Sequence, residues 1–246
     1  MPTADADATT ILMLRHGETE ANAAGILQGQ SESSLTERGR TQAAQLGAAM
    51  KTRLANSHKV ANIIYTSDLS RAVDTAQAVA DALGSHTLQL DTRFRERRLG
   101  PFQGITTRDS ATRFPKMWAA FNRGDLDGPR GADLLSSLEP GADGVESAAD
   151  MAARCMEALE AIATAHEPGA TILVVSHGGL VHTSVNCCKG DMNMHVPHIG
   201  NVSVTTLVRE APSKWHVQSV GEAVVEARGA DTPNVDMAQA RPSRLQ

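Results

Sequence analysis

Arg15, His16 and Gly17 have the clearest potential for chemistry in this sequence, because they directly follow the apolar run of residues 11–14. A histidine imidazole can attack phosphorus and form a covalent bond to it. The neighbouring guanidinium can hold phosphate oxygens with two parallel hydrogen bonds, and a glycine lets backbone come close to a ligand. The same triplet also occurs by chance, so its interpretation depends on the residues that follow the later strands.

Residues suited to the same chemistry follow three later segments that are predicted as strands. Arg71 comes one turn into the helix after the second strand, Glu96 follows the third strand and His177 follows the fourth. Because ligands of open parallel sheets bind outside the carboxyl ends of the strands, these side chains should share one rim with Arg15 and His16. Two arginines, two histidines and a glutamate suit phosphoryl transfer, in which charge on the phosphoryl oxygens must be stabilised.

The spacing of apolar residues predicts the alternating strands and helices that would position this rim. Strands are predicted at 11–14, 60–65, 87–90, 171–175, 202–208 and 215–220, the last two as an antiparallel edge hairpin joined near Pro212. Helices are predicted from a cap at Thr36 to about residue 53, from a cap at Ser67 to Leu83, and over 109–122, 147–166 and 178–190. This alternation predicts an α/β fold, a three-layer α/β/α sandwich with a mostly parallel central sheet.

A single domain is expected over residues 11–221, with residues 1–10 as a flexible N-terminus and residues 222–246 as a flexible C-terminal tail. Residues 101–145 interrupt the alternation, since they contain four prolines and six glycines. We interpret this stretch as a small helical and loop insertion that folds over the site as a cap.

Composition argues against several other classes of function. The 246 residues are 41% hydrophobic, enough for a substantial core, and a net charge of -5 argues against a partner that is nucleic acid or membrane. The three cysteines do not form a disulfide framework, and no pair has zinc-knuckle spacing, so we expect a cytoplasmic protein without a metal or cofactor. No apolar run is long enough to span a bilayer, and the first ten residues do not resemble a secretory signal.

The ordered set of motifs resembles the histidine phosphatase superfamily, the phosphoglycerate-mutase-like group. The matching segments are RHGETEAN at 15–22, LTERGRTQA at 35–43, YTSDLSRAVDTA at 65–76, ERRLGPFQG at 96–104, VES at 145–147, SHGG at 176–179 and GNVSV at 200–204. They occur in the family's order and cover nearly the whole chain from residue 11 to about residue 210.

The resemblance implies a role for each matching residue. His16 would be the phosphohistidine nucleophile, and Glu96 would be the general acid toward the leaving oxygen. The phosphoryl group would be bound by Arg15, Asn22, Arg71 and His177. On physical grounds His16 must attack as a neutral base, so its other ring nitrogen should donate to a fixed acceptor, which we expect to be a backbone carbonyl.

Each of these residues also has a simpler structural interpretation. Arg71 could lie on the exposed face of a helix, and Glu96 could be an ion-pair partner within the charged run 93–98. His177 could be a hydrogen-bonded histidine at a helix start, and Asn22 could cap a turn.

Departures from the phosphoglycerate mutases favour hydrolysis. Leu99 stands where the mutases carry a tyrosine, and residues 105–130 hold no Arg–Arg pair that matches the mutases' substrate clamp. The leading hypothesis is therefore a phosphomonoesterase that acts on a small phosphorylated metabolite. Because Gln103 replaces a glutamate common in the phosphatase branch, a phosphoglycerate mutase or a sugar-bisphosphate phosphatase remains an alternative. A non-catalytic module that binds a phosphorylated ligand is a further alternative, against which the intact set of five residues argues.

Overall fold

The computed structural model describes residues 7–61, 63–84, 87–123, 144–192 and 194–224. Within these residues the strands are β1 (Thr9–Arg15), β2 (Ile63–Thr66), β3 (Thr87–Leu90), β4 (Thr171–Ser176), β5 (Ser203–Ala211) and β6 (Lys214–Ala223). They form one sheet in the order β3-β2-β4-β1-β5-β6. The first four pair in parallel, whereas β5 runs antiparallel to both β1 and β6. The predicted mostly parallel sheet with an antiparallel edge hairpin is thus confirmed.

Helices cover both faces of this sheet. The described residues contain α1 (Glu20–Ala23), α2 (Glu37–Asn56), α3 (Ser70–Leu83), α4 (Thr107–Arg113), α5 (Pro115–Arg123), α6 (Ala148–Thr164) and α7 (Gly178–Lys189). Because successive strand residues point to opposite faces, Leu12 and Leu14 pack with residues of α2 and α3, whereas Ile11 and Met13 pack with residues of α6 and α7. The predicted three-layer α/β/α arrangement is confirmed. None of the described helices has the length and apolar character needed to cross a membrane.

Some predicted strand limits were wrong. Strand β1 begins at Thr9, inside the segment predicted to be flexible, and β6 continues to Ala223, beyond the predicted start of the tail. Strand β2 begins at Ile63, and Val60 is 70% exposed. The cause is the connection after α2, where His58 adopts a positive φ of 52° and Lys59 donates its N–H to the carbonyl of Leu54.

Two helix predictions also differ from the structure. Helix α3 begins at Ser70, and its first N–H groups are not capped by Ser67. Instead the carboxylate of Glu32, from a distant loop, accepts the N–H of Ser70 at 3.1 Å. The single helix predicted over 109–122 is two helices, because Pro115 disfavours helical backbone at Phe114 and starts α5 itself.

The region predicted as a cap has a small hydrophobic core of its own. Phe102 lies at its centre, with ring centroids 5.9 Å from Phe114, 5.6 Å from Trp118 and 6.0 Å from Phe121. Leu99 and Val145 belong to the same cluster and form an isolated bridge with each other. Residues 124–143 of the predicted cap, residues 1–6 of the predicted N-terminus and residues 225–246 of the predicted tail lie outside the described residues.

Candidate active site

The carboxyl ends of β1 and β4 lie side by side at the centre of the site. Arg15 is in register with Ser176, and the N–H of His16 donates to the Ser176 carbonyl at 3.0 Å. The residues that follow these strands are therefore held next to each other by the sheet. Five side chains here are only 0–8% exposed: those of Arg15, His16, Arg71, Glu96 and His177.

His16 is held in a single tautomer and kept neutral. Its Nδ1 lies 2.7 Å from the carbonyl oxygen of Gly17, and because a carbonyl only accepts, Nδ1 carries the proton. This confirms the predicted backbone-carbonyl acceptor and leaves Nε2 with its lone pair. Burial, followed by the positive charges of Arg71 and Arg15, holds the pKa of His16 well below 6.5.

His177 is fully buried beside His16, at the start of α7. The two imidazole ring centroids are 5.2 Å apart. Within the described part of the chain neither ring nitrogen of His177 has a hydrogen-bond partner, so the alternative of a satisfied structural histidine is wrong. Burial, and then the charge of Arg71, holds the pKa of His177 well below 6.5. Unsatisfied buried nitrogens of this kind are suited to a polar ligand.

Arg71 is 1% exposed, which excludes the alternative of a helix-surface arginine. Its Nη1 donates to the carbonyl of Ser31 at 2.8 Å, and its Nη2 donates to the carbonyl of Gly29 at 2.7 Å. Thr75, one turn later, donates its hydroxyl to the Arg71 carbonyl at 2.7 Å and accepts the N–H of Gly17 at 3.1 Å. Helix α3 is thereby fixed to the loop that carries His16.

The backbone on the other side of His16 is fixed by the turn before β5. Arg15 donates through Nη1 to the carbonyl of Ile199. Asn201 donates its side-chain amide to the carbonyl of His16 at 2.9 Å, and Val202 donates its N–H to the carbonyl of Arg15 at 3.1 Å. Val202 adopts a φ of 53°, which is costly for a β-branched residue, so these contacts are made with strained backbone.

The Glu96 carboxylate lies against the N-terminus of α7. Its Oε1 accepts the N–H of Arg97 at 2.7 Å, and its Oε2 accepts the N–H of Gly179 at 2.9 Å. A Cβ atom at position 179 would lie 2.4 Å from Oε1 of Glu96. Gly179 is therefore required for the carboxylate to come this close to the helix.

Gly17 permits close packing between two backbone segments, and its admission of a ligand stays a prediction. A Cβ atom at this position would lie 2.5 Å from the carbonyl oxygen of Gly39, in the first turn of α2. A Cβ atom at Gly39 would in turn lie 2.0 Å from the carbonyl oxygen of Glu18. The two glycines thus permit the loop after β1 to pack directly on helix α2.

Asn22 does cap a turn, as its simpler interpretation proposed. Its side-chain oxygen accepts the N–H of Thr19 at 3.2 Å, its own N–H donates to the Thr19 hydroxyl, and Asn201 lies 3.5 Å from the same oxygen. This last contact links Asn22 to the residue that holds the His16 carbonyl.

Among the described residues, no three His, Cys, Asp or Glu side chains are grouped so that they could hold a metal ion.

Several residues that shape the site were not predicted. Thr75 and Asn201 lie within motifs quoted for the family resemblance, but no pattern in the sequence indicates their hydrogen bonds. Arg154 and Glu146 form a bidentate ion pair next to the segment that carries Glu96, with a shortest distance of 2.6 Å. No helical spacing indicates this pair, because Glu146 lies before the N-cap Ser147 of α6.

Comparisons with known proteins show the family to which the chain is related. The profile of the family described as "Histidine phosphatase superfamily (branch 1)" matches residues 11–223. Phosphoglycerate mutase-like protein 4 of Arabidopsis thaliana is 33% identical over 89% of this chain and 87% of its own length. The metal-independent phosphoserine phosphatase of the same plant is 36% identical over 72% of this chain and 67% of its own. A mycobacterial glucosyl-3-phosphoglycerate phosphatase in complex with VO3 superposes with a TM-score of 0.70 at 28% identity, covering 87% of this chain and 99% of that one.

Proposed function

The chain belongs to branch 1 of the histidine phosphatase superfamily, and we propose that it hydrolyses the phosphate monoester of a small metabolite through a phosphohistidine at His16. The observation that carries this proposal is the neutral His16 imidazole, protonated on Nδ1, next to a buried His177 whose nitrogens have no partner in the described chain. A nucleophile with a fixed lone pair is thus adjacent to a group that can donate to a phosphoryl oxygen.

In the first step Nε2 of His16 attacks phosphorus, the N–P bond forms and the bond from phosphorus to the ester oxygen breaks. The leaving oxygen takes a proton from the Glu96 carboxyl, and the alcohol departs. Negative charge on the phosphoryl oxygens is stabilised by Arg15, Arg71 and His177, in a pocket that excludes most water. We assign Asn22 to the same oxygens because it matches the asparagine of the family's motif.

In the second step the ionised Glu96 accepts a proton from water, whose oxygen attacks phosphorus as the N–P bond breaks. Inorganic phosphate leaves, and His16 returns to its neutral form with Nδ1 still donating to Gly17. Glu96 ends the cycle protonated, so acid and base roles alternate on one carboxyl.

Hydrolysis is favoured over isomerisation by the surroundings of Glu96. Leu99, which replaces the mutases' tyrosine, is buried with Phe102 and Val145 in the small hydrophobic core of the predicted cap region. This position therefore offers no hydroxyl to a substrate. A mutase must also retain a doubly phosphorylated intermediate, and residues 105–130 hold no Arg–Arg pair that matches the mutases' substrate clamp. The relatives named as phosphatases support the same choice.

We also propose that the protein is cytoplasmic, which its three free cysteines support.

The test is to incubate the protein with p-nitrophenyl phosphate, with 3-phosphoglycerate and with a panel of phosphorylated metabolites, and to measure phosphate release. Protein quenched during turnover should carry an acid-labile, base-stable phosphate, and His16→Ala should lose both this phosphate and turnover while remaining folded. Rapid isomerisation of 3-phosphoglycerate with little free phosphate would identify a mutase instead. Binding of substrates without any phosphoenzyme or turnover would support the non-catalytic module.

A further inference from the structure

Arg154, on helix α6, contacts the backbone of the segment that carries Glu96. Its Nη1 donates to the carbonyls of Arg93 and Arg95, each at 2.7 Å, and its Nη2 donates to the carbonyl of Glu96 at 3.1 Å. Three carbonyls within four residues are therefore bound by one guanidinium. Only arginine presents enough N–H donors in a rigid plane to do this.

Glu146 fixes the orientation of this guanidinium. Its Oε1 accepts from Nε of Arg154 at 2.6 Å, and its Oε2 accepts from Nη2 at 2.9 Å. The side chains of Arg154 and Glu146 are 18% and 11% exposed, so the pair is largely shielded from water. The backbone of Glu146 also donates to the carbonyl of Arg98 at 2.8 Å, on the far side of Glu96. The pair thus contacts the chain both before and after the carboxyl-bearing residue.

This bracing is needed because the chain from Arg95 to Leu99 forms neither helix nor strand. Other residues also contact this segment. Ser176 donates its hydroxyl to the carbonyl of Phe94 at 2.9 Å, Gln30 donates its side-chain amide to the carbonyl of Glu96 at 3.0 Å, and Asp68 accepts from the side chain of Arg95 at 2.5 Å. Among these residues, Arg154 alone binds several backbone carbonyls of the segment through one rigid guanidinium. We therefore expect its loss to free the segment more than the loss of any of the other contacts named here.

We propose that Arg154, oriented by Glu146, is a positioning residue for the Glu96 carboxyl, and that it acts on proton transfer without contacting the substrate. This inference rests on the proposed function, in which Glu96 protonates the leaving oxygen. Displacement of a reacting group by about 1 Å costs on the order of 100-fold in rate. The cost falls on the proton transfers of Glu96, whereas the contacts that hold His16 in place are unchanged. Because kcat/KM reports only the steps up to formation of the phosphohistidine, it reflects the proton that Glu96 donates to the leaving oxygen.

The leaving group separates this role from a general structural one. An alkoxide is a strong base and requires a proton as it leaves, whereas p-nitrophenolate is weakly basic and leaves with little help. Loss of acid positioning should therefore reduce kcat/KM for an alkyl phosphate far more than for p-nitrophenyl phosphate. Disruption of the fold or of phosphate binding would reduce both by the same factor.

The experiment compares Arg154→Met and Arg154→Lys with Glu96→Gln as the benchmark. The alkyl substrate is the most rapidly hydrolysed alkyl phosphate in the metabolite panel. We expect Arg154→Met to reduce kcat/KM by about 100-fold on this substrate and by less than about 10-fold on p-nitrophenyl phosphate, the same selectivity as in Glu96→Gln. Arg154→Lys keeps the charge but not the planar fork, so it should show the same selectivity with a smaller loss.

Arg209→Met is the matched control. Arg209 also forms two bonds to a glutamate of α6, Glu160, but it pairs with Thr9 at the opposite end of β1 from Arg15. The Arg209→Met variant should be less stable than the wild type, but any reduction of its kcat/KM should be the same for both leaving groups. Thermal unfolding first confirms that Arg154→Met is folded under the assay conditions. If Arg154→Met then reduces kcat/KM by the same factor on both substrates, the inference is overturned. A wild-type protein that releases no phosphate from any substrate would refute the proposed function itself.

Discussion

Replacement of His177 by glutamine should change how the stability of the protein depends on pH. Burial, and then the charge of Arg71, keeps the pKa of His177 in the folded protein well below the value of 6.5 that it regains on unfolding. Between these two values the unfolded chain binds one more proton than the folded one. Acidification therefore favours unfolding, and stability is lost as the pH falls below about 6.5.

The magnitude follows from the proton that only the unfolded histidine takes up. Each pH unit in this window is worth about 1.4 kcal/mol for one such group, so a change from about pH 7.5 to about pH 5.5 should cost roughly 1.4 kcal/mol through His177 alone. Glutamine does not titrate, so His177→Gln should lose about that much less stability over the same interval. The contributions of all other titrating groups largely cancel in this difference.

The assay is urea unfolding of both proteins at several pH values between these limits, with the free energy of unfolding taken from each curve. Ser176→Ala is a suitable control, because Ser176 is buried next to His177 and donates a hydrogen bond but does not titrate. It should lower stability equally at every pH. If the wild type and His177→Gln lose stability in parallel as the pH falls, His177 is not held neutral by the fold, and the argument for its role is refuted.

Three further predictions concern the rate of hydrolysis and the stability of the predicted cap region. The rate of hydrolysis should not fall as the pH drops from about 7.5 to about 5.5. The lowered pKa of His16 keeps the nucleophile neutral in this range, and Glu96 must be protonated to act as the acid. A rate of hydrolysis that climbs steadily up to about pH 9 would contradict this prediction. Arg71→Gln should lower kcat/KM by roughly 100- to 1,000-fold, because it removes a charge from the phosphoryl pocket and frees the carbonyls of Gly29 and Ser31; a loss under 10-fold would exclude phosphate contact. Phe102→Ala should lower the free energy of unfolding by about 3–5 kcal/mol, measured with the fluorescence of Trp118, whose ring lies 5.6 Å away; a loss under about 1 kcal/mol would mean that the cap contributes little to global stability.

Local patterns in the sequence were sufficient for the layers of the fold. The apolar runs before His16 and His177 are buried strands, because a strand covered on both faces requires apolar side chains at every position. Thr36 caps a helix as predicted, because its hydroxyl accepts an N–H only three residues further along the chain. These features depend on neighbours close in sequence.

Contacts between distant segments were decided only by the tertiary structure. The cap of α3 comes from Glu32, far along the chain, and the close approach of Gly17 and Gly39 depends on how α2 packs against the loop after β1. The bonds of Arg154 to the segment of Glu96 are of the same kind. No periodicity of the sequence encodes such pairs, because they are set by the packing of whole elements.

The sequence by itself determined which groups could perform phosphoryl chemistry, since residue type and the order of the strands place two histidines, two arginines and a glutamate at one rim. The tertiary structure decided their chemical state. The lowered pKa of both histidines arises from burial and from the distant Arg71, and the Glu96 carboxylate is held by the N–H of the distant Gly179. The proton on Nδ1 of His16 faces the carbonyl of the adjacent Gly17, in a loop that contacts from Thr75 and Asn201 hold in place. Protonation depends on the local field and on access to water, which exist only once the chain has folded.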